Sequence, residues 1–167
     1  MLILGLDPGL ATTGYGLVEG DGTAMRAVEY GVIETPPNTP LGARLAQLYH
    51  EIRALLERCH PHSAAVEELF FATNARTAIM VGEGRGVILL ALAEAGVPVV
   101  EYTPLQIKQA VTGYGLADKQ QVQQMVQLLL SLSDVPRPDD AADALAASIC
   151  HYNALRYAEL ARGEGDA

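Results

Sequence analysis

The stretch LILGLDPG, residues 2–9, decides how the chain is read. Four of the five residues before Asp7 are apolar, the pattern of a strand buried on both faces, yet the run ends on a carboxylate followed at once by Pro8 and Gly9. Burying a merely polar group without a partner costs on the order of 2–7 kcal/mol, and a charge costs more. Asp7 therefore needs a metal, a hydrogen-bond cage or a phosphate beside it.

Outward from this strand the chain alternates cleanly. A turn rich in Gly and Thr leads into a second strand through Tyr15–Val18, Asp21-Gly22 marks a hairpin, and a third strand covers about 27–33. After the breaker TPPNTP, the residues Leu41, Leu45, Leu48, Tyr49, Ile52, Leu55 and Leu56 recur at helical spacing and predict a helix over 41–58. SAAVEELFF reads as a fourth strand, 76–95 as a helix, and VPVVEY as a fifth strand. Helices follow over 104–111, 118–132 and 139–160. The word TGYG occurs at 13–16 and at 112–115, and is read both times as turn chemistry. Three antiparallel strands followed by helix, strand, helix, strand and more helices predict an α/β fold, a five-stranded mixed sheet with helices on both faces. No linker divides it, so residues 1–160 are expected to form one domain and 161–167 a disordered tail.

At 167 residues the chain can bury a core without staples, and Cys59 and Cys150 supply no disulfide framework. No apolar run is long and charge-free enough to span a bilayer, and the N-terminus lacks the basic region and cleavage site of a secretory signal. A cytoplasmic location with reduced thiols is expected. The net charge of −9 argues against generic nucleic-acid binding, which draws its affinity from Lys and Arg. The distribution tempers that objection: the two lysines, Lys108 and Lys119, flank one short segment, KQAVTGYGLADK.

Three carboxylate stations share the logic of Asp7. Glu67 and Glu68 sit near the end of the fourth strand, and Asp140 and Asp143 lie three apart on one face of the last helix. That helix carries Ala141, Ala142 and Ala144 beside them, small enough for close approach to a sheet, while Pro138 suits its first position. Clustered carboxylates repel unless a cation neutralises them, and an all-oxygen set points to a hard divalent ion, Mg²⁺ or Mn²⁺. Adjacent strand residues face opposite sides, so only one of Glu67 and Glu68 can point at the site. Helical spacing alone allows either Asp139 or Asp140 as the partner of Asp143.

The motifs LILGLDPG, TGYG, VEELFFATN, GEGRGV, IKQAVTGYG, ADKQQVQQMV and DDAADALAASI, in this order, resemble the RuvC family of Holliday-junction resolvases over nearly the whole chain. The resemblance implies a ribonuclease H-like fold. It also implies metal-dependent resolution of four-way DNA junctions, in recombination and repair, by paired symmetric nicks. It puts the metal-binding acids at Asp7, Glu67, Asp140 and Asp143. Glu67 is favoured because the family pattern places an aromatic residue three positions on, here Phe70; the motif DDAAD favours Asp140. Two Mg²⁺ ions per site are implied, with Mn²⁺ as a substitute. By the same resemblance Phe70 wedges against bases at the branch point, Lys108 and Lys119 contact phosphates near the cut, and Arg76 is a weaker DNA contact. Arg85 is weaker still. Phe71 is then expected to point into the sheet packing.

GEGRG looks like a phosphate loop, but it follows an apolar helical run and not a strand, so a close-packing helix face is the better account. In the resembled family this helix lines a two-fold homodimer interface, and a C₂ dimer presents two identical sites to a junction cut on two strands. A RuvA–RuvB branch-migration complex is the implied working partner. An actin-like ATP-binding module has a similar phosphate loop but needs two such domains, which 167 residues do not hold. A non-catalytic junction scaffold would have a broken acid station, and none of the four is broken. A nuclease acting on RNA or single strands is the remaining alternative.

Overall fold

The computed structural model describes residues 1–68 and 75–163. Strand β1 (Leu2–Asp7) is the buried run of the opening motif, flanked by β2 (Thr12–Gly20) and β3 (Met25–Glu34) in an antiparallel meander. Helix α1 (Leu41–Cys59) crosses to β4 (Ser63–Glu67), which pairs parallel with β1, and α2 (Ala75–Glu94) crosses to β5 (Val99–Tyr102), parallel to β4. The sheet order is β3-β2-β1-β4-β5, the five-stranded mixed sheet expected. Helices α3 (Pro104–Thr112), α4 (Lys119–Leu129) and α5 (Asp139–Gly163) complete the chain.

Strand parity sorts the core into two layers. Leu4, Leu6, Ala64 and Val66 face α1 and α2, packing on Leu48, Ile52, Leu55, Leu56, Ile88 and Leu92. The opposite face, with Ala65, Val18 and Tyr102, packs under α3, α4 and α5. Ile3, Gly5 and Asp7 share one parity, as do Ser63, Ala65 and Glu67. Asp7 and Glu67 therefore emerge on the α5 side of the sheet, at the carboxyl ends of neighbouring strands.

Helix α5 can lie on this face because both partners are stripped of side chain. A Cβ on Gly5 would come within 2.0 Å of the Ala144 carbonyl oxygen, and one on Gly14 within 2.0 Å of the Asp140 carbonyl oxygen. Ala141, Ala142 and Ala144 are buried in return. The Ser148 hydroxyl fastens the contact, donating to the Gly16 carbonyl at 2.8 Å.

This corrects the reading of the first TGYG. Residues 13–16 are not a turn but part of β2, and Gly14 and Gly16 are there so that a helix backbone can touch a strand. The second TGYG is a turn: Gly113, at φ +74°, caps α3 in the left-handed region open to glycine. Two smaller differences accompany it. Pro138 stands just before α5 and not at its first position, and the helix runs three residues past its expected end, to Gly163.

Candidate metal centre

Register brings the acids together. Asp7 pairs with Gly14 across β1 and β2, and the Asp140 backbone rests directly on Gly14. Glu67 follows Val66, whose partner in β1 is Leu6, so Glu67 lies beside Asp7. One helical turn along α5, Asp143 joins Glu67 in lining a cleft of about 270 Å³ with Pro104, Ile107, Lys108, Lys119, Val122 and Ala146. The four predicted acids and both predicted lysines thus meet at one end of the sheet.

Each open choice in the sequence has a structural counterpart here. Glu68 is exposed on the opposite parity, its backbone N–H donating to the Tyr102 carbonyl at 2.8 Å, while Glu67 turns into the cleft. Asp139 is held on the outer side: it accepts from Gln123 Nε2 at 2.9 Å and lies 3.5 Å from Arg137 Nη1. Asp140 bears instead on Asp7.

The electrostatics are those of an under-neutralised cluster. Burial, then the charges of Glu67, Asp143 and Asp140, push the Asp7 carboxyl up to about 8. Glu67 is raised by burial and by Asp143, against the lowering effects of a hydrogen bond from Asp7, of Lys108 and of Lys119. Asp143 is also raised by burial, although Lys119 draws it back. Lys119 Nζ lies 3.0 Å from Asp143 Oδ2 and 3.4 Å from Asp139 Oδ2, the nearest compensating charge in the site. A half-buried all-oxygen set in which Asp7, Glu67 and Asp143 resist ionisation suits a hard divalent cation. Among the described residues no three acids, histidines or cysteines are drawn in tightly enough to grip an ion as they stand. The fit is therefore one of charge and donor type.

Capping fixes the lysines. Thr103 and Gln106 form a capping box at the start of α3, placing Lys108 half-buried over the cleft. Asp118 and Gln121 form another at α4, which makes Lys119 its first helical residue. Arg85, read as a minor DNA contact, is engaged in an ion pair with Glu101. Phe70 and Phe71 lie outside the described residues, as does the side chain of Arg76 at the start of α2. In α2, Gly84 packs closely, a Cβ there meeting the Leu10 Cα at 3.3 Å, whereas Gly86 faces open space. Within the protomer close packing accounts for Gly84, while Gly86 opens outward.

A buried bracket beneath the acids was missed. His151, 1% exposed, bonds through Nε2 to Ser63 Oγ at 2.9 Å and through Nδ1 to the Tyr102 hydroxyl at 2.8 Å. It ties α5 to the strands carrying Glu67 and its register partner Tyr102. Burial lowers its pKa and keeps the ring neutral. Its one sequence signal was a histidine inside a mostly apolar helix segment, ASICHY.

Residues 3–151 match the family model described as crossover junction endodeoxyribonuclease RuvC. The chain is 59% identical over 155 residues to the protein of that name from Desulfitobacterium hafniense, covering 93% of this chain and 94% of the relative. It is 60% identical over 151 residues to that from Chloroflexus aggregans, covering 90% and 92%. Among solved structures it is similar to the Thermus thermophilus RuvC in complex with a Holliday junction substrate. There the TM-score is 0.91 at 38% identity, over 95% of this chain and 96% of that one.

Proposed function

The chain belongs to the RuvC family of crossover junction endodeoxyribonucleases, and from that premise we propose how its own residues resolve Holliday junctions. It is a hydrolase of phosphodiester bonds in four-way DNA junctions, in recombination and repair, and it requires a divalent metal. The observation that carries the reading is the meeting of Asp7, Glu67, Asp140 and Asp143 at one end of the sheet, where burial and then the neighbouring acids raise the Asp7 pKa.

In this reading Asp7, Glu67, Asp140 and Asp143 would together hold the ions. Magnesium, two ions per site and replaceable by manganese, would supply an activated water and offset charge on the leaving oxygen. Lys108, over the cleft, holds the phosphate beside the cut, and Lys119 does so from the first turn of α4. Phe70, three residues beyond Glu67, stacks against bases already loosened at the branch point, a contact worth about 1–3 kcal/mol per base. Arg76 adds a backbone contact. The small cationic set on an acidic chain restricts tight binding to DNA that fits the cleft.

Paired nicks require two sites. The outward face of α2, with Ile79 and Leu90 exposed and Gly86 open, supports a two-fold homodimer through this helix. A RuvA–RuvB complex would deliver the branch point. Among the described residues no helix is long and apolar enough to cross a membrane, in keeping with a cytoplasmic enzyme. The test is cleavage of a labelled synthetic four-way junction beside a linear duplex, in Mg²⁺ and in EDTA. Symmetric nicks on the junction alone, lost in EDTA, are expected. Equal cutting of the duplex, or cutting in EDTA, would overturn the reading.

A further inference from the structure

Lys119 is oddly placed for a residue whose whole task is to touch DNA. It occupies the first position of α4, where the helix dipole disfavours a cation, and its ammonium is turned toward two aspartates of α5. Of these Asp143 faces the cleft with Glu67, whereas Asp139 faces outward, tied to Gln123 and near Arg137. One oxygen of each lies within 3.0 and 3.4 Å of Nζ, so a small rotation transfers the ammonium from one to the other. The lysine side chain is 53% exposed and can make that movement without losing water.

We infer that Lys119 is a displaceable counter-ion of the metal centre: it neutralises Asp143 while no metal is bound, and it shifts onto Asp139 when a divalent cation takes Asp143. The inference rests on the metal-centre reading above. It gives Asp139 a task distinct from its neighbour's: Asp139 is the resting place of the released ammonium. It also makes Lys119 free to meet DNA only once metal is in place, so the site arms itself in order. Lys108 lies over the same cleft and bears on Glu67, with no ion pair to Asp143 among the described residues, so it serves as a comparison whose removal should matter less.

The experiment is a Mn²⁺ titration of the full chain without DNA, followed by electron paramagnetic resonance, on wild type, Asp7→Asn, Lys119→Met, Lys119→Arg, Lys108→Met and Asp139→Asn. Lys119→Met is expected to bind Mn²⁺ roughly 1.4- to 5-fold more tightly, the range for an ion pair this exposed. Its metal-free form should melt at a lower temperature. Lys119→Arg should stay near wild type in affinity, and Lys108→Met should gain less than Lys119→Met. Asp139→Asn should weaken Mn²⁺ binding, and by less when Lys119 is also Met. Unchanged or weaker binding by Lys119→Met would overturn the inference alone. If wild type takes up no Mn²⁺, or Asp7→Asn binds it equally well, the metal-centre reading falls and this inference with it.

Discussion

Asp7→Asn should abolish cutting and yet make the metal-free protein more stable. In the folded chain the Asp7 carboxyl titrates at about 8, against 3.8 for an ordinary aspartate, because burial and three other acids resist its charge. A carboxyl with a raised pKa binds more protons folded than unfolded, so its contribution is fully favourable below pH about 4 and is lost as pH rises toward 8. At about 1.4 kcal/mol per pH unit, the penalty at pH 7.5 has a ceiling of about 5 kcal/mol. The neighbouring acids relax when Asp7 is neutral, and the Asn amide retains a donor for Glu67. A net gain of about 1–3 kcal/mol is expected, or roughly 2–12 °C in melting temperature for a chain of this length. The assay is thermal unfolding of both proteins in EDTA from pH 5 to 8.5. The gain should be largest at pH 8.5 and shrink steadily toward pH 5. With Mg²⁺ present, wild type should recover more than the variant. A variant less stable than wild type in EDTA at pH 8, or a gain independent of pH, would refute the reasoning.

Gly14→Ala sets a Cβ 2.0 Å from the Asp140 carbonyl and must push α5 off the sheet; urea unfolding should show a loss of about 3 kcal/mol or more, with nicking lost as well. Gly86→Ala meets nothing within the protomer, and helix propensity alone should stabilise the isolated chain by about 0.5–1 kcal/mol. His151→Phe leaves Ser63 and Tyr102 without their buried partner and should cost about 2–4 kcal/mol by denaturant titration. Since burial lowers the His151 pKa, wild type should lose stability as pH falls below about 6.5, and the variant should lack that acid-side slope. Lys108→Ala should weaken junction binding and reduce the slope of log affinity against log salt by about 1.

The strand-end carboxylates could be read from the sequence because a charge closing a buried strand is a local anomaly, visible without tertiary information. The alternation of elements pointed to a mixed sheet but not to its strand order; once β1 and β4 are seen to be neighbours, parity is enough to separate Glu67 from Glu68. Asp139 and Asp140 could not be separated that way: both lie in the first turn of α5, and only the contact with Gly14 and the pull of Gln123 distinguish them. The first TGYG was misread for the same reason. A glycine needed for a turn looks the same in sequence as Gly14, which admits the backbone of Asp140, 126 residues later in the chain. The His151 bracket joins residues 88 and 49 positions apart, a pairing that no local pattern encodes. Lys119 was noticed for its scarcity, but its ion pair with the acids emerges only when α4 and α5 are packed together.

The most direct test of the metal centre is to convert each of the four acids separately to its amide and measure nicking and binding of the same four-way junction in Mg²⁺. Asp7→Asn, Glu67→Gln, Asp140→Asn and Asp143→Asn should each bind the junction and lose cutting by orders of magnitude, while Glu68→Gln and Asp139→Asn still cut. Wild-type nicking by the Asp7 or Glu67 variant, or loss of cutting in Glu68→Gln instead of Glu67→Gln, would contradict the site assembled here.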